Sequence, residues 1–138
     1  MNTLRSEIVV GIDGSASSKA ALSWAEEYAQ GIDGSLTLVT VWHWPTSYGA
    51  PLAYEGFDPQ QDARRTVDAA KAELSLPANR IRTLVAEGHP GRVLTDASRD
   101  AVALVVGTRG HGGIVSIGLG STSTYCVHHG HCPVVVVR

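Results

Sequence analysis

Asp13, Gly107, Gly110, Gly120 and the run Ser121-Thr122-Ser123 are the residues whose types and spacing suit chemistry in this chain. Asp13 stands in Gly11-Ile12-Asp13-Gly14-Ser15, a tight turn directly after an apolar stretch, and offers a carboxylate. The glycines lie in a second segment, residues 101–123. It opens on the apolar run Val102 to Val106, carries Gly107, Gly110, Gly112, Gly113, Gly118 and Gly120, and closes on three hydroxyls. A buried strand, a glycine loop and a hydroxyl-rich helix start offer an anion many backbone N–H groups and the positive end of a helix dipole. Glycine suits such a loop because it lets the backbone approach the anion and take up positive φ. A carboxylate beside an anion cradle equips the chain for a nucleotide, with phosphates on the amides and ribose hydroxyls on Asp13.

Those two loops need elements to hold them. Glu7 to Ile12 reads as a first buried strand, and apolar residues at helical spacing (Ala21, Leu22, Ala25, Tyr28, Ala29) predict a helix over 17–30. A second strand is expected over 36–42, a helix over 62–74, a third strand over 80–86 and a short helix over 92–99. The glycine segment supplies strand four and a final helix from Ser121 to about His129, and Pro133 to Arg138, with four consecutive valines, supplies strand five. Strands alternating with helices mean a parallel sheet covered on both faces. Right-handed crossovers then favour an α/β, Rossmann-like, doubly wound five-stranded sheet of order 3-2-1-4-5. In such a sheet ligands bind beyond the carboxyl ends of the strands where the order reverses, which is where the Asp13 and Gly107 loops should meet.

Composition narrows the classes. The 138 residues suit a single domain over 1–138, and 43% apolar with 17% charged content excludes a disordered chain. A net charge of −2 disfavours a nucleic-acid module. No apolar run reaches the roughly 18 residues that span a bilayer, and no signal peptide stands at the start, so a cytoplasmic protein with no membrane partner is expected. Known nucleotide signatures mostly fail. The only lysines, Lys19 and Lys71, lie outside any glycine loop, so there is no P-loop. The turn after strand one lacks Gly-x-Gly-x-x-Gly, and no Gly-x-Ser-x-Gly elbow exists.

What is present is Gly107-x-x-Gly110, nine residues, then Gly120-Ser121. This resembles the ATP-binding signature of the universal stress protein family, and the likeness runs the length of the chain. Val9-Val10-Gly11-Ile12-Asp13-Gly14-Ser15 is similar to that family's first strand and turn, and His128 to Val137 to its usual close. The resemblance implies that Asp13, with Gly11 and Ile12, sits by ribose and adenine and that Val41 lines the adenine slot. It implies that Gly107, Gly110 and Gly120 bring amides to the phosphates, and that Ser121, Thr122 and Ser123 add hydroxyls. Thr108, Arg109, His111, Gly112 and Gly113 would belong to the loop over the triphosphate, with Arg109 as its cation. ATP is thus the implied cofactor, with Mg2+ or Mn2+ carried by its phosphates rather than by a protein cage. Cyclic AMP is the alternative ligand, since a cyclic monophosphate needs only part of the loop. No catalytic residue is assigned: hydrolysis needs a positioned base, His111 is the one candidate, and at most slow turnover is expected. The implied role is a nucleotide-loaded regulator of stress response or growth state.

Three further features carry expectations. Cys126, His128, His129, His131 and Cys132 are metal-ligand types, but they straddle a helix and a strand, so no zinc site is assigned. Strand five should lie at a sheet edge, and exposed apolar edges pair; the family resemblance implies a homodimer through residues 133–138. The stretch 43–60, with Pro45, Pro51, Pro59 and the aromatics Trp44, Tyr48, Tyr54 and Phe57, is expected to lack regular structure and to serve as a lid or as a surface for a protein partner.

Overall fold

The computed structural model describes residues 6–44, 46–47, 50–51, 56, 58–108 and 119–138. Its elements follow the order β1 (Glu7–Gly11), α1 (Ala16–Gly31), β2 (Ser35–Trp42), β3 (Thr46–Ser47), β4 (Ala50–Pro51), α2 (Pro59–Ala72), β5 (Ile81–Glu87), α3 (Pro90–Ala97), β6 (Ala103–Gly107), α4 (Ser121–His129) and β7 (Val134–Val137). The main sheet runs β5-β2-β1-β6-β7, and every pairing in it is parallel. Counting its strands alone, that is the order 3-2-1-4-5.

The central strands are short runs of Ile, Val and Leu buried on both faces, as a covered parallel sheet requires. Ile8, Val9, Val10, Leu104 and Val105 are wholly buried. Alternation sorts them into two cores. Ile8, Val10, Leu36, Leu38 and Val105 pack with Ala21, Leu22 and Ala25 of α1 and Val67 of α2. Val9, Val39, Leu104 and Val106 pack with Leu94 of α3 and Cys126 of α4 on the opposite face.

Two boundaries depart from the sequence reading for capping reasons. α2 starts at Pro59, three residues before its apolar periodicity begins, because the Asp58 side chain accepts from the Gln61 N–H and proline suits the first helical position. α3 starts at Pro90, where the imidazole of His89 accepts from the Arg92 N–H. The stretch 43–60 also contains a regular element that local sequence did not signal, the antiparallel hairpin β3–β4. Tyr48, Tyr54 and Phe57 of that stretch lie outside the described residues.

Two long ties brace the start of β5. The Arg80 guanidinium donates from Nε to the Gly34 carbonyl at 2.8 Å and lies 3.6 Å from Asp33. The Glu26 carboxylate of α1 accepts the N–H groups of Ser75 and Leu76 at 2.6 and 3.1 Å, which anchors the chain leaving α2.

Candidate functional site

At the carboxyl ends of β1, β2 and β6 the strand order changes direction, and a pocket opens there. It is a small cleft open to solvent, with a cavity volume of about 100 Å3. Gly11, Ile12 and Asp13 form one edge, Val39 and Val41 the floor, and Val106 and Gly107 the adjoining strand end. Pro90 and Leu94 of α3 form a wall, facing Ser18 of α1 and Thr122 and Ser123 of α4. The fold therefore brings together Gly11, Ile12, Asp13, Val41, Gly107, Thr122 and Ser123 from the residues the sequence singled out. Thr108, Gly120 and Ser121 adjoin this group at the two ends of the glycine loop. Arg109, Gly110, His111, Gly112 and Gly113 lie outside the described residues.

Asp13 is tied into its own turn. Its Oδ1 accepts the Ser15 N–H at 2.9 Å, and its own N–H lies 3.4 Å from the Ser18 hydroxyl. This turn leads directly into α1, where Ser15 accepts from the Ser18 N–H as the N-cap. Gly14 takes φ +82°, a left-handed conformation that side chains resist, so this turn needs its glycine.

The two ends of the glycine loop are tied to each other. The Thr108 carbonyl accepts from the Gly120 N–H at 2.6 Å and from the Ser123 hydroxyl at 3.0 Å, while the Thr108 N–H donates to Val137 of β7. The Ser123 hydroxyl is also 3.0 Å from the Gly120 carbonyl and only 2% exposed. Its proton is thus engaged by carbonyls, and its place is to fasten α4 to the strand end. Ser123 nevertheless lines the pocket together with Thr122.

The start of α4 differs from the other helices. Among the described residues α1, α2 and α3 each carry a side-chain N-cap, from Ser15, Asp58 and His89, whereas the α4 N-cap is Gly120, with no side-chain bond. Among the described residues no side chain accepts from its first amides. Among the described lining residues Asp13 is the one ionisable group. The site combines an apolar slot over Val39 and Val41, a carboxylate on one side and uncapped helix amides on the other. It can hold a flat apolar ring, a polyhydroxyl and an anion in that sequence.

Comparison with known proteins places the chain in a family. The sequence model of the universal stress protein family matches residues 5–138. The chain belongs to the universal stress protein family. A universal stress protein of Mycobacterium tuberculosis is 36% identical over 135 residues, an alignment that takes in 95% of this chain and 47% of that protein. The chain thus spans about half the length of the curated relatives it matches. Among solved structures, the universal stress protein UspA of Lactobacillus plantarum superposes with a TM-score of 0.72 at 25% identity, covering 97% of this chain and 99% of that one. A universal stress protein in complex with cAMP superposes with a TM-score of 0.65 at 26% identity, covering 96% of each chain.

Sequence reasoning missed part of this universal stress protein pocket. Ser18, Val39, Pro90, Leu94 and Val106 line it, yet each reads locally as a core or helix residue, and only β5-to-β6 wrapping brings α3 over the slot. The cysteines and histidines near α4 do not converge: among the described residues no group of three or more His, Cys, Asp or Glu side chains could hold a metal ion. Among them, too, no helix is long and apolar enough to cross a membrane.

Proposed function

We propose that this universal stress protein binds ATP in the pocket between the Asp13 turn and the start of α4, and serves as a nucleotide-loaded regulator of stress response or growth state. The observation that carries this reading is the bare N-terminus of α4 at the end of the pocket opposite an apolar slot. Among the described residues no side chain caps those amides, and a phosphate would suit them as acceptor. The base would lie over Val39 and Val41, Asp13 would take ribose hydroxyls, and Gly107, Gly120, Ser121 and Thr122 would surround the phosphates. Arg109, Gly110, His111, Gly112 and Gly113 complete the triphosphate loop in this reading. Mg2+ or Mn2+ would arrive on the phosphates, since the described residues offer no cage for it. ATP acts here as a held ligand, with at most slow hydrolysis.

Mass spectrometry of the purified protein tests this, with co-purifying ATP as the expected result. A second reading, cyclic AMP, draws on the cAMP complex among the structural relatives. Competition between the two nucleotides decides: ATP is expected to displace cyclic AMP, and the reverse order of affinity overturns the preference.

We also propose that two copies pair through residues 133–138. β7 is a sheet edge, bonded to β6 on one side only, and its four valines are all partly exposed. A dimer is expected at micromolar concentration, reduced to monomer by Val135→Lys; a monomeric parent protein rules the pairing out.

A further inference from the structure

We propose that His89 makes the nucleotide pocket pH-sensitive, because its neutral ring caps the helix that forms one wall of that pocket. The inference rests on the nucleotide reading given above. Helix α3 begins at Pro90, and its N-cap is His89, whose Nδ1 accepts the Arg92 N–H at 3.1 Å. A ring nitrogen that accepts must be unprotonated, so the proton of this imidazole sits on Nε2. Adding a second proton turns Nδ1 into a donor facing another donor. It also places a positive charge at the positive end of the α3 dipole. The cap then lets go.

The cap is built into the site wall. Pro90, the next residue, and Leu94, one turn on, both line the nucleotide pocket. The His89 ring lies 4.8 Å from the ring of Tyr125 on α4, tilted at 57°, and Tyr125 lies 4.3 Å from the ring of His129 on its own helix. Tyr125 in turn fills the space over Gly91, where an added Cβ would come within 2.5 Å of its ring. These ring contacts join the first turn of α3 to α4, the helix that begins at the pocket. Loss of the cap frays the turn that carries Pro90 and loosens its hold on Tyr125.

Tyr125 of α4 lies against the His89 ring and His129 against Tyr125, while Glu87 and Arg92 are the charged neighbours of His89 along the chain. His129 is the last residue of α4, where a positive charge suits the carboxyl end of the helix. His89, not His129, is therefore the group through which acid acts.

The test compares Mg-ATP binding at pH 7.5 and pH 5.5 for the full chain, for His89→Asn and for His129→Gln. Asparagine is a strong N-cap that does not titrate, and His89→Ser is a second such cap should asparagine misfold. Affinity of the parent chain is expected to fall about fivefold more over this range than that of His89→Asn, the size of one N-cap bond. His129→Gln should fall as the parent does. An equal fall in the parent and His89→Asn, or its abolition by His129→Gln, overturns the proposal. Hydrogen exchange of the Arg92 amide without nucleotide gives the independent readout. Its protection factor is expected to drop about fivefold at pH 5.5 in the parent and to hold in His89→Asn. Absence of ATP binding at pH 7.5 would refute the nucleotide reading alone, and the Arg92 amide would still decide the role of His89.

Discussion

Gly107, at the end of β6, lies against Ser17 in the first turn of α1, so close that an added Cβ would stand 2.5 Å from the Ser17 hydroxyl and 2.7 Å from its carbonyl carbon. The first glycine of the loop is thus required by helix packing as well as by any phosphate. It does not take the positive φ that Gly14, Gly56 and Gly88 adopt. Its missing side chain is what lets α1 dock on the sheet.

Gly107→Ala should therefore destabilise the fold itself. The Ser17 backbone cannot rotate aside as a flexible side chain would, so a loss of about 1–3 kcal/mol is expected. Urea denaturation of the protein without nucleotide measures it. An alanine variant as stable as the parent would refute the packing role and leave the glycine to the ligand alone.

Asp13→Asn should still fold, because asparagine keeps an oxygen for the turn bond to the Ser15 N–H. Affinity for ATP should fall about tenfold, the worth of one charge-assisted hydrogen bond. Calorimetric titration checks both halves. Unchanged affinity would remove Asp13 from the ribose side of the pocket.

Thr40 invites a stabilising change. It follows Leu36 and Leu38 on the face of β2 packed by α1 and α2, is 5% exposed, and its hydroxyl has no hydrogen-bond partner among the described residues. Thr40→Val removes that unmet hydroxyl at nearly constant shape, so a gain of about 1 kcal/mol is expected. Thermal and urea unfolding measure it, and a clear loss of stability would reveal a partner for the hydroxyl.

Cys126 should be nearly inert while the protein is folded. Burial, and then the neighbouring Cys132 thiol, push its pKa from 9.0 up to about 11. Cys132 is raised as well, chiefly by burial. Alkylation of Cys126 at pH 7.5 should run about 100-fold slower than in the unfolded chain, following the thiolate fraction. Because the folded value lies above the unfolded one, the associated stability is intact below pH 9 and is lost as pH rises from 9 towards 11. Alkaline unfolding curves of the parent and Cys126→Ala test the window: the difference between them should change across it, and a constant difference refutes the linkage.

The sequence by itself determined the sheet, its strand order and the meeting of the Asp13 and Gly107 turns. Runs such as Ile8-Val9-Val10 and Leu104-Val105-Val106 suit only strands buried on both faces, and the handedness of crossovers leaves little choice of order. The family, too, was legible in the spacing of Gly107, Gly110, Gly120 and Ser121. Hairpin β3–β4 was not, since two-residue strands among prolines carry no periodicity. Nor was the pocket wall, because Pro90 and Leu94 look locally like any helix start and face the slot only once α3 crosses the sheet. The deciding contacts pair residues far apart in sequence: Gly107 with Ser17, Tyr125 with His89, Ser123 with Thr108. Spacing along a chain shows what each residue could do, whereas the closeness of such pairs depends on how helices pack over a twisted sheet. That packing made Gly107 a docking point for α1, gave the Ser123 proton to a carbonyl, and set a titratable ring at the head of α3.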